Sequence, residues 1–308
     1  MTVEPATLGT VQDVLLRGIN ADKSVRVVSA TTTELVREAC DRHGLRGVEA
    51  IVLGRALTAG CLLATLTKND EERVRIAVRA DGPVGSILID ARSDGRVRGC
   101  LERRLSTPRP PESGGTRPSV GAFVGRRGHM VVTRDIGLEN EYQGVVEVEE
   151  GEIDVDLERY LGRSEQLPSA LTCEVVLDAT NQIMRAAGVL CQTFPGAEPE
   201  ALDDIRANLN SGTLRDLLLH ERSSRELMGF ALLGSEFEAV ETRSLRFACT
   251  CGPERALAVL STLGADDLED LADEAGETEV RCSYCGQAYP VSGENLRELA
   301  SQLRQTLS

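Results

Sequence analysis

The chain has 308 residues, 41% of them apolar, which is enough for two domains and at least one sizeable core. Its 49 acidic and 34 basic side chains leave a net charge of -15, which repels phosphate backbones and anionic membrane surfaces and sets nucleic acid and membranes aside as partners. The opening stretch MTVEPATLGTVQDVLLRGIN carries Glu4 and Asp13 and has neither the basic start nor the apolar run of an export signal, so a soluble, cytoplasmic protein is expected.

Patterning then divides the chain. Val25, Val27 and Val28 read as strand, and a helix follows over 32–43, with Thr31 and Glu34 fitting a capping box and Gly44 its stop. The 47–66 stretch is rich in Ala, Gly, Leu and Val. Glu49 and Arg55 interrupt it before it reaches the roughly 18 apolar residues of a membrane span, so it reads as the buried central helix of the core. From 73 to 100 the period becomes two. Val74, Ile76 and Val78 alternate with Arg73, Arg75 and Arg79, and Asp81-Gly82-Pro83 turns the chain into Ile87 and Ile89. Further strands are expected at 130–134, 145–149, 171–177 and 182–191. The Pro- and Gly-rich 106–119 segment reads as a surface loop to which its composition assigns no role.

From 197 to 234 the pattern turns helical and highly charged, with Leu202, Ile205 and Leu209 on one stripe and Leu214, Leu217 and Leu218 on another. The expected class is α+β: an antiparallel-sheet core domain with helices over 1–196, a charged helical linker over 197–245, and a small four-cysteine zinc domain over 246–308. Within the last, the acidic cluster from Asp266 to Glu274 reads as a solvated helix face.

Nine cysteines is an odd number, and in a reducing compartment the better readings are metal binding or redox chemistry rather than a disulfide framework. Cys40, Cys61, Cys100, Cys173 and Cys191 stand singly among apolar neighbours, where a thiol packs as a small hydrophobe. The other four form Cys-Thr-Cys at 249–251 and Cys-Ser-Tyr-Cys at 282–285, separated by 30 residues. Four thiolates in two close pairs suit one tetrahedral zinc ion. Side chains two apart in an extended segment share a face, and Gly286 helps the second pair wrap a tight turn.

The residues alone leave the role of that metal open. A static zinc ribbon serving as a protein-interaction module is one reading. A switch is the other, because a module of about 60 residues with little aromatic mass depends on metal for its folding, and four oxidisable sulfurs can surrender it. A thioredoxin-like use of Cys282 and Cys285 fits less well, since they do not stand at a strand-to-helix junction of a βαβ unit. No phosphate loop, nucleophile elbow or His-Glu-x-x-His helix is present, and His43, His129 and His220 read as solvated or structural, so no enzyme is expected.

Several segments, taken together, settle the choice by likeness. Asp81-Gly82-Pro83, Tyr142-Gln143-Gly144-Val145-Val146, RSEQLPSA at 163–170, AGVLCQTFPG at 187–196 and the spaced cysteine pairs give a chain that resembles the bacterial redox-regulated 33 kDa heat-shock chaperone family over nearly its full length. The resemblance implies that Cys249, Cys251, Cys282 and Cys285 bind one zinc ion while reduced and inactive. It implies that oxidation forms Cys249–Cys251 and Cys282–Cys285 disulfides, the second pair first, after which the metal leaves, the C-terminal module unfolds and the 197–245 linker is destabilised. It further implies an activated homodimer that holds unfolding proteins without ATP. The stripe residues Leu202, Ile205, Leu209, Leu214, Leu217 and Leu218 are the expected client surface. The 106–119 loop and Cys191 depart from the family's pattern without touching the cysteine motif.

Overall fold

The structure, a computed structural model, describes residues 12–64, 72–102, 117–135, 141–194, 196 and 199–306. The chain divides after Ala248 into two compact units, residues 1–248 and 249–308.

The first unit opens with β1 (Val14–Asn20), β2 (Val25–Thr31) and α1 (Thr33–His43). The capping box expected at Thr31 and Glu34 is not formed. Thr31 belongs to β2, where its Oγ1 accepts from the Val14 amide at 3.1 Å, and the start of α1 is capped by a more distant carboxylate. Asp13 accepts from the amides of Leu35 at 2.6 Å and Glu34 at 3.2 Å, placing a negative charge at the positive end of the helix dipole. Gly44 ends α1 in the left-handed region at φ 64°, where a Cβ would be strained.

α2 (Val48–Ala64) follows, and each of its 17 residues is buried, Glu49 and Arg55 included. It is the central helix, packed against strands of both large sheets, and its glycines let it come close. A Cβ on Gly54 would lie 2.8 Å from Val175 and Val36, and one on Gly60 would lie 2.7 Å from Ile89.

Next come β3 (Arg73–Ala80), β4 (Ile87–Arg92), β5 (Arg96–Leu101), the single turn α3 (Gly121–Val124), β6 (Gly128–Asp135), β7 (Tyr142–Glu147), α4 (Ile153–Arg163), β8 (Ser169–Leu177) and β9 (Ile183–Thr193). The alternation read at 73–79 is observed: Val74, Ile76 and Val78 are buried while the intervening arginines are not. A 3₁₀ turn (Pro199–Leu202) leads into the short helices α5 (Asp203–Leu209), α6 (Thr213–Leu219) and α7 (Ser224–Ala231), the last with a capping box between Ser223 and Glu226. Here the helical pattern ends. Residues 237–244, included in the expected helical linker, form strand β10 (Phe237–Ser244), because the free edge of β1 is available to pair with them; β11 (Arg246–Phe247) closes the unit.

One sheet has the order β10-β1-β2-β9-β8 and the other β11-β5-β4-β3-β6-β7. Pairing is antiparallel throughout except for the two residues of β11 against β5. This is the α+β architecture the patterning implies.

A network of charge crosses the interior. Arg55, fully buried on α2, lies 2.9 Å from Glu152 and 3.6 Å from Glu174 of β8, and donates to the Pro118 carbonyl at 2.8 Å. Arg117 pairs with the fully buried Asp154 of α4 at 2.6 Å, and Asp154 also accepts from the Cys173 amide at 2.8 Å. Its paired arginines hold the Asp154 carboxyl below the usual carboxylate range against the pull of burial. The 106–119 loop lies mostly outside the described residues, but its last three, Arg117 to Ser119, are thus tied into this network.

The second unit holds α8 (Pro253–Leu260), α9 (Ala265–Ala275), the hairpin β12 (Glu277–Arg281) and β13 (Ala288–Ser292), and α10 (Gly293–Thr306). Its buried apolar cluster is aliphatic and small: Leu260, Leu268, Ala272, Val291, Leu296 and Ala300. The acidic face of α9 is solvent-facing and partly neutralised by α10, with Arg304 beside Asp266 and Glu269 and Arg297 beside Asp273.

Candidate metal centre

The four expected sulfurs come together. Cys249 and Cys251 lie in the segment that enters α8, whose first turn is started by Pro253. Cys282 and Cys285 sit in the turn between β12 and β13. There the Cys282 amide donates to the Gln287 carbonyl at 2.9 Å and the Gly286 amide to the Cys282 carbonyl at 2.8 Å. Gly286 makes the turn possible at φ 70°.

All four sulfurs lie within 4.8 Å of one another, and among the described residues no other set of metal-binding side chains is gathered in this way. Cys249 Sγ is 3.7 Å from Cys282 Sγ, and Cys251 Sγ is 3.3 Å from Cys285 Sγ. A tetrahedral thiolate site with bonds of about 2.3 Å has sulfur–sulfur edges of about 3.8 Å, so the cluster has the dimensions for a single ion. The donors are soft, which suits zinc or another thiophilic metal and not calcium or magnesium.

The local backbone supports the same chemistry. The Cys282 sulfur accepts from the amides of Tyr284 and Cys285, and the Cys285 sulfur from that of Gln287, bonds that favour the anionic form. Burial, with the neighbouring thiols adding to it, nonetheless pushes Cys285 far above the ordinary thiol range, and burial pushes Cys282 up as well. Four sulfurs this close cannot all be anionic without a cation between them. The Tyr289 hydroxyl donates to Cys251 Sγ at 3.0 Å, and that bond is the main reason its phenol is pushed up to about 12. Spacing rules do not reach this contact, which joins β13 to a segment far upstream.

The remaining cysteines are elsewhere and inert in form. Cys40, Cys61, Cys100, Cys173 and Cys191 are all buried, and burial raises Cys40 and Cys191 to about 12 and pushes Cys61 and Cys173 well above the ordinary thiol range. Of the histidines, His43 closes α1, His129 is exposed on β6, and His220 stands at the end of α6 with Nδ1 2.7 Å from the Asp216 carbonyl.

The six stripe residues form one docked surface. Leu202, Ile205, Leu209, Leu214 and Leu218 are buried against Val25, Val27, Val176, Val189 and the α7 residues Leu227 and Met228, and Leu217 is packed at the margin. Arginines rim the contact. Arg206 lies 2.7 Å from Glu158, Arg215 lies 3.0 Å from Glu174, and Arg185 meets Glu221.

Comparison with known proteins bears on all of these features. The Hsp33 protein family model matches residues 13–292. The 33 kDa chaperonin of Trichodesmium erythraeum is 35% identical over 95% of this chain and 94% of its own length. That of Synechocystis is 37% identical over 95% and 97%, and that of Bacillus cereus 34% identical over 95% and 100%. The crystal structure of the 33 kDa chaperonin from Thermotoga maritima superposes with a TM-score of 0.84 at 28% identity, covering 96% of this chain and 99% of that one.

Proposed function

The chain belongs to the Hsp33 family, and from that premise we propose that it is a redox-regulated, ATP-independent holdase of the cytoplasm, which binds unfolding proteins once its four cysteines are oxidised. The observation that carries this reading is a four-sulfur cluster in a unit with few other internal ties. Cys249, Cys251, Cys282 and Cys285 are the residues that would hold one zinc ion per chain. Bound zinc would neutralise the crowded thiolates and cross-link the segment ahead of α8 to the β12–β13 turn.

Oxidation removes the donors. Two thiols and one hydroperoxide give one disulfide, one water and one alcohol or second water, and a sulfur engaged in a disulfide is no longer an anionic ligand. Cys282–Cys285 closes first and Cys249–Cys251 follows. Six buried aliphatic residues, with six partly buried ones packed around them, then have to stabilise a unit of about 60 residues, a marginal core for that length. The unit unfolds, and the 197–245 linker upstream of Cys249 is destabilised in turn.

The helices α5, α6 and α7 have seven or eight residues each, too few to be helical on their own. They persist because their leucines are docked. Once undocked, Leu202, Ile205, Leu209, Leu214, Leu217 and Leu218 present apolar surface to clients, and the activated chains dimerise.

The test treats the zinc-loaded chain with peroxide and records zinc release and suppression of a client's aggregation in one sample. Coupled onset of both is expected, and zinc release without holdase activity would break the coupling. A second reading, a protein-interaction module with a purely structural zinc, draws support from the amide bonds to Cys282 and Cys285, which also occur in a fixed knuckle. It predicts that peroxide leaves zinc bound and client binding unchanged.

A further inference from the structure

Cys251 is held differently from the two hairpin sulfurs. Cys282 and Cys285 accept from backbone amides of their own turn. Cys251 receives an O–H from a side chain, that of Tyr289 at 3.0 Å. The pairing of Tyr289 with Val280 across the hairpin fixes the ring's strand, and both Tyr289 and Cys251 are half-buried, so a small oxidant has access to the pair. A thiolate has no proton to give, so the phenol is necessarily the donor when a metal is bound.

We propose that Tyr289 is a positioning residue of the sulfur cluster, whose phenol orients Cys251 toward the other three sulfurs and, by withdrawing charge from it, slows its oxidation. The proposal rests on the redox reading above. In the step concerned, the Cys251 sulfur attacks a hydroperoxide. An S–O bond forms, the O–O bond breaks, and the leaving oxygen takes a proton from solvent. Attack by the Cys249 sulfur then forms the S–S bond and breaks the S–O bond, and the hydroxyl leaves as water after gaining a proton. Two electrons pass from the two sulfurs to the peroxide. A hydrogen bond to the attacking sulfur stabilises it before the step and is weakened during it. Because part of this charge-assisted bond is lost on the way to the transition state, its removal accelerates attack by about threefold to tenfold.

The experiment compares the full chain with Tyr289→Phe, which keeps the ring and removes only the donor. Both are loaded with zinc, shown to bind one ion per chain, and treated with peroxide while a chromogenic chelator reports release and mass spectrometry of alkylated samples follows closure of the Cys249–Cys251 disulfide. In parallel, both are loaded with cobalt under nitrogen and the thiolate-to-metal charge-transfer band is recorded. Closure of Cys249–Cys251 about threefold to tenfold faster in Tyr289→Phe, with a shifted cobalt band, is the expected result. Equal closure rates with an unshifted band overturn the proposal while leaving the redox reading intact. Should the unsubstituted chain itself retain zinc in peroxide, the redox reading falls and the braking role falls with it, while the cobalt band still decides whether Tyr289 engages Cys251.

Discussion

Helix α2 and the four-sulfur cluster hold their units together by opposite means. Around α2, 17 consecutive buried residues meet strands of two sheets, and the charges that must be buried there, Arg55 and Asp154, are paired. Around the sulfurs, the apolar support amounts to a few Leu, Val and Ala side chains, and the remaining cohesion is left to ligands that only a cation can reconcile. Stability in the first unit is spread over many contacts, whereas on the proposed redox reading that of the second rests on four oxidisable atoms. A protein divided in this way is expected to lose one unit without losing the other.

The largest effect should follow from removing a ligand. Cys282→Ser is expected to abolish stoichiometric zinc binding and unfold α9 and α10, since structural zinc contributes on the order of 10–16 kcal/mol to modules of this kind. Amide exchange should then be fast in the second unit and remain slow in α2. Loss of protection in α2 would contradict the division. The reciprocal disruption is Asp154→Ala, which takes from Arg117 one of its two carboxylate partners and leaves the buried Cys173 amide without its acceptor, and should cost about 3 kcal/mol in denaturant unfolding, with zinc binding unchanged.

A smaller effect is expected with pH. Burial raises the Asp13 carboxyl to about 6 in the folded chain. Because the native state then binds this proton more tightly than the unfolded state, Asp13 contributes stability as pH falls from 7 toward 4, by up to about 3 kcal/mol, and Asp156, also raised by burial, acts in the same sense. Asp90 and Asp154, held low by their arginines, act in the opposite sense, so the Asp13 contribution is read as the difference between the unsubstituted chain and Asp13→Asn. Unfolding free energies with the same pH profile in both chains would refute the assignment. The smallest effect is expected from Arg304→Ala. Its pairs with Asp266 and Glu269 are exposed on the surface of the second unit, and the zinc-loaded unfolding midpoint should not move measurably.

The sequence is most legible where composition and state coincide. A run of small and apolar residues over 48–64 has one stable resolution, a buried helix, and two close cysteine pairs have one economical one, a shared metal. The parts that escape it depend on partners distant in the chain. β1 lacks alternation, since Val14, Leu15 and Leu16 are followed by Arg17 and Gly18, and it is a strand because β2 and β10 flank it. β10 is exposed along most of its length and so carries no period-two apolar signal, yet it supplies an edge to that same sheet. Asp13 displaces the local capping box because a buried carboxylate already faces those amides. Arg55 looks like an interruption until Glu152 and Glu174 are brought beside it. For the candidate site the cysteines were legible and Tyr289 was not, because a hydroxyl donor to sulfur has no characteristic spacing.

The Tyr289 contact also has an optical consequence. The chain contains no tryptophan and four tyrosines, and two of these, Tyr284 and Tyr289, lie in the second unit next to its sulfurs. Tyrosine emission is therefore not drained by energy transfer to indole, and half of the emitters sit beside the candidate metal centre. On the proposed redox reading, the protein carries an intrinsic fluorophore at its switch, so metal loading and oxidation are to be followed by light with no label attached.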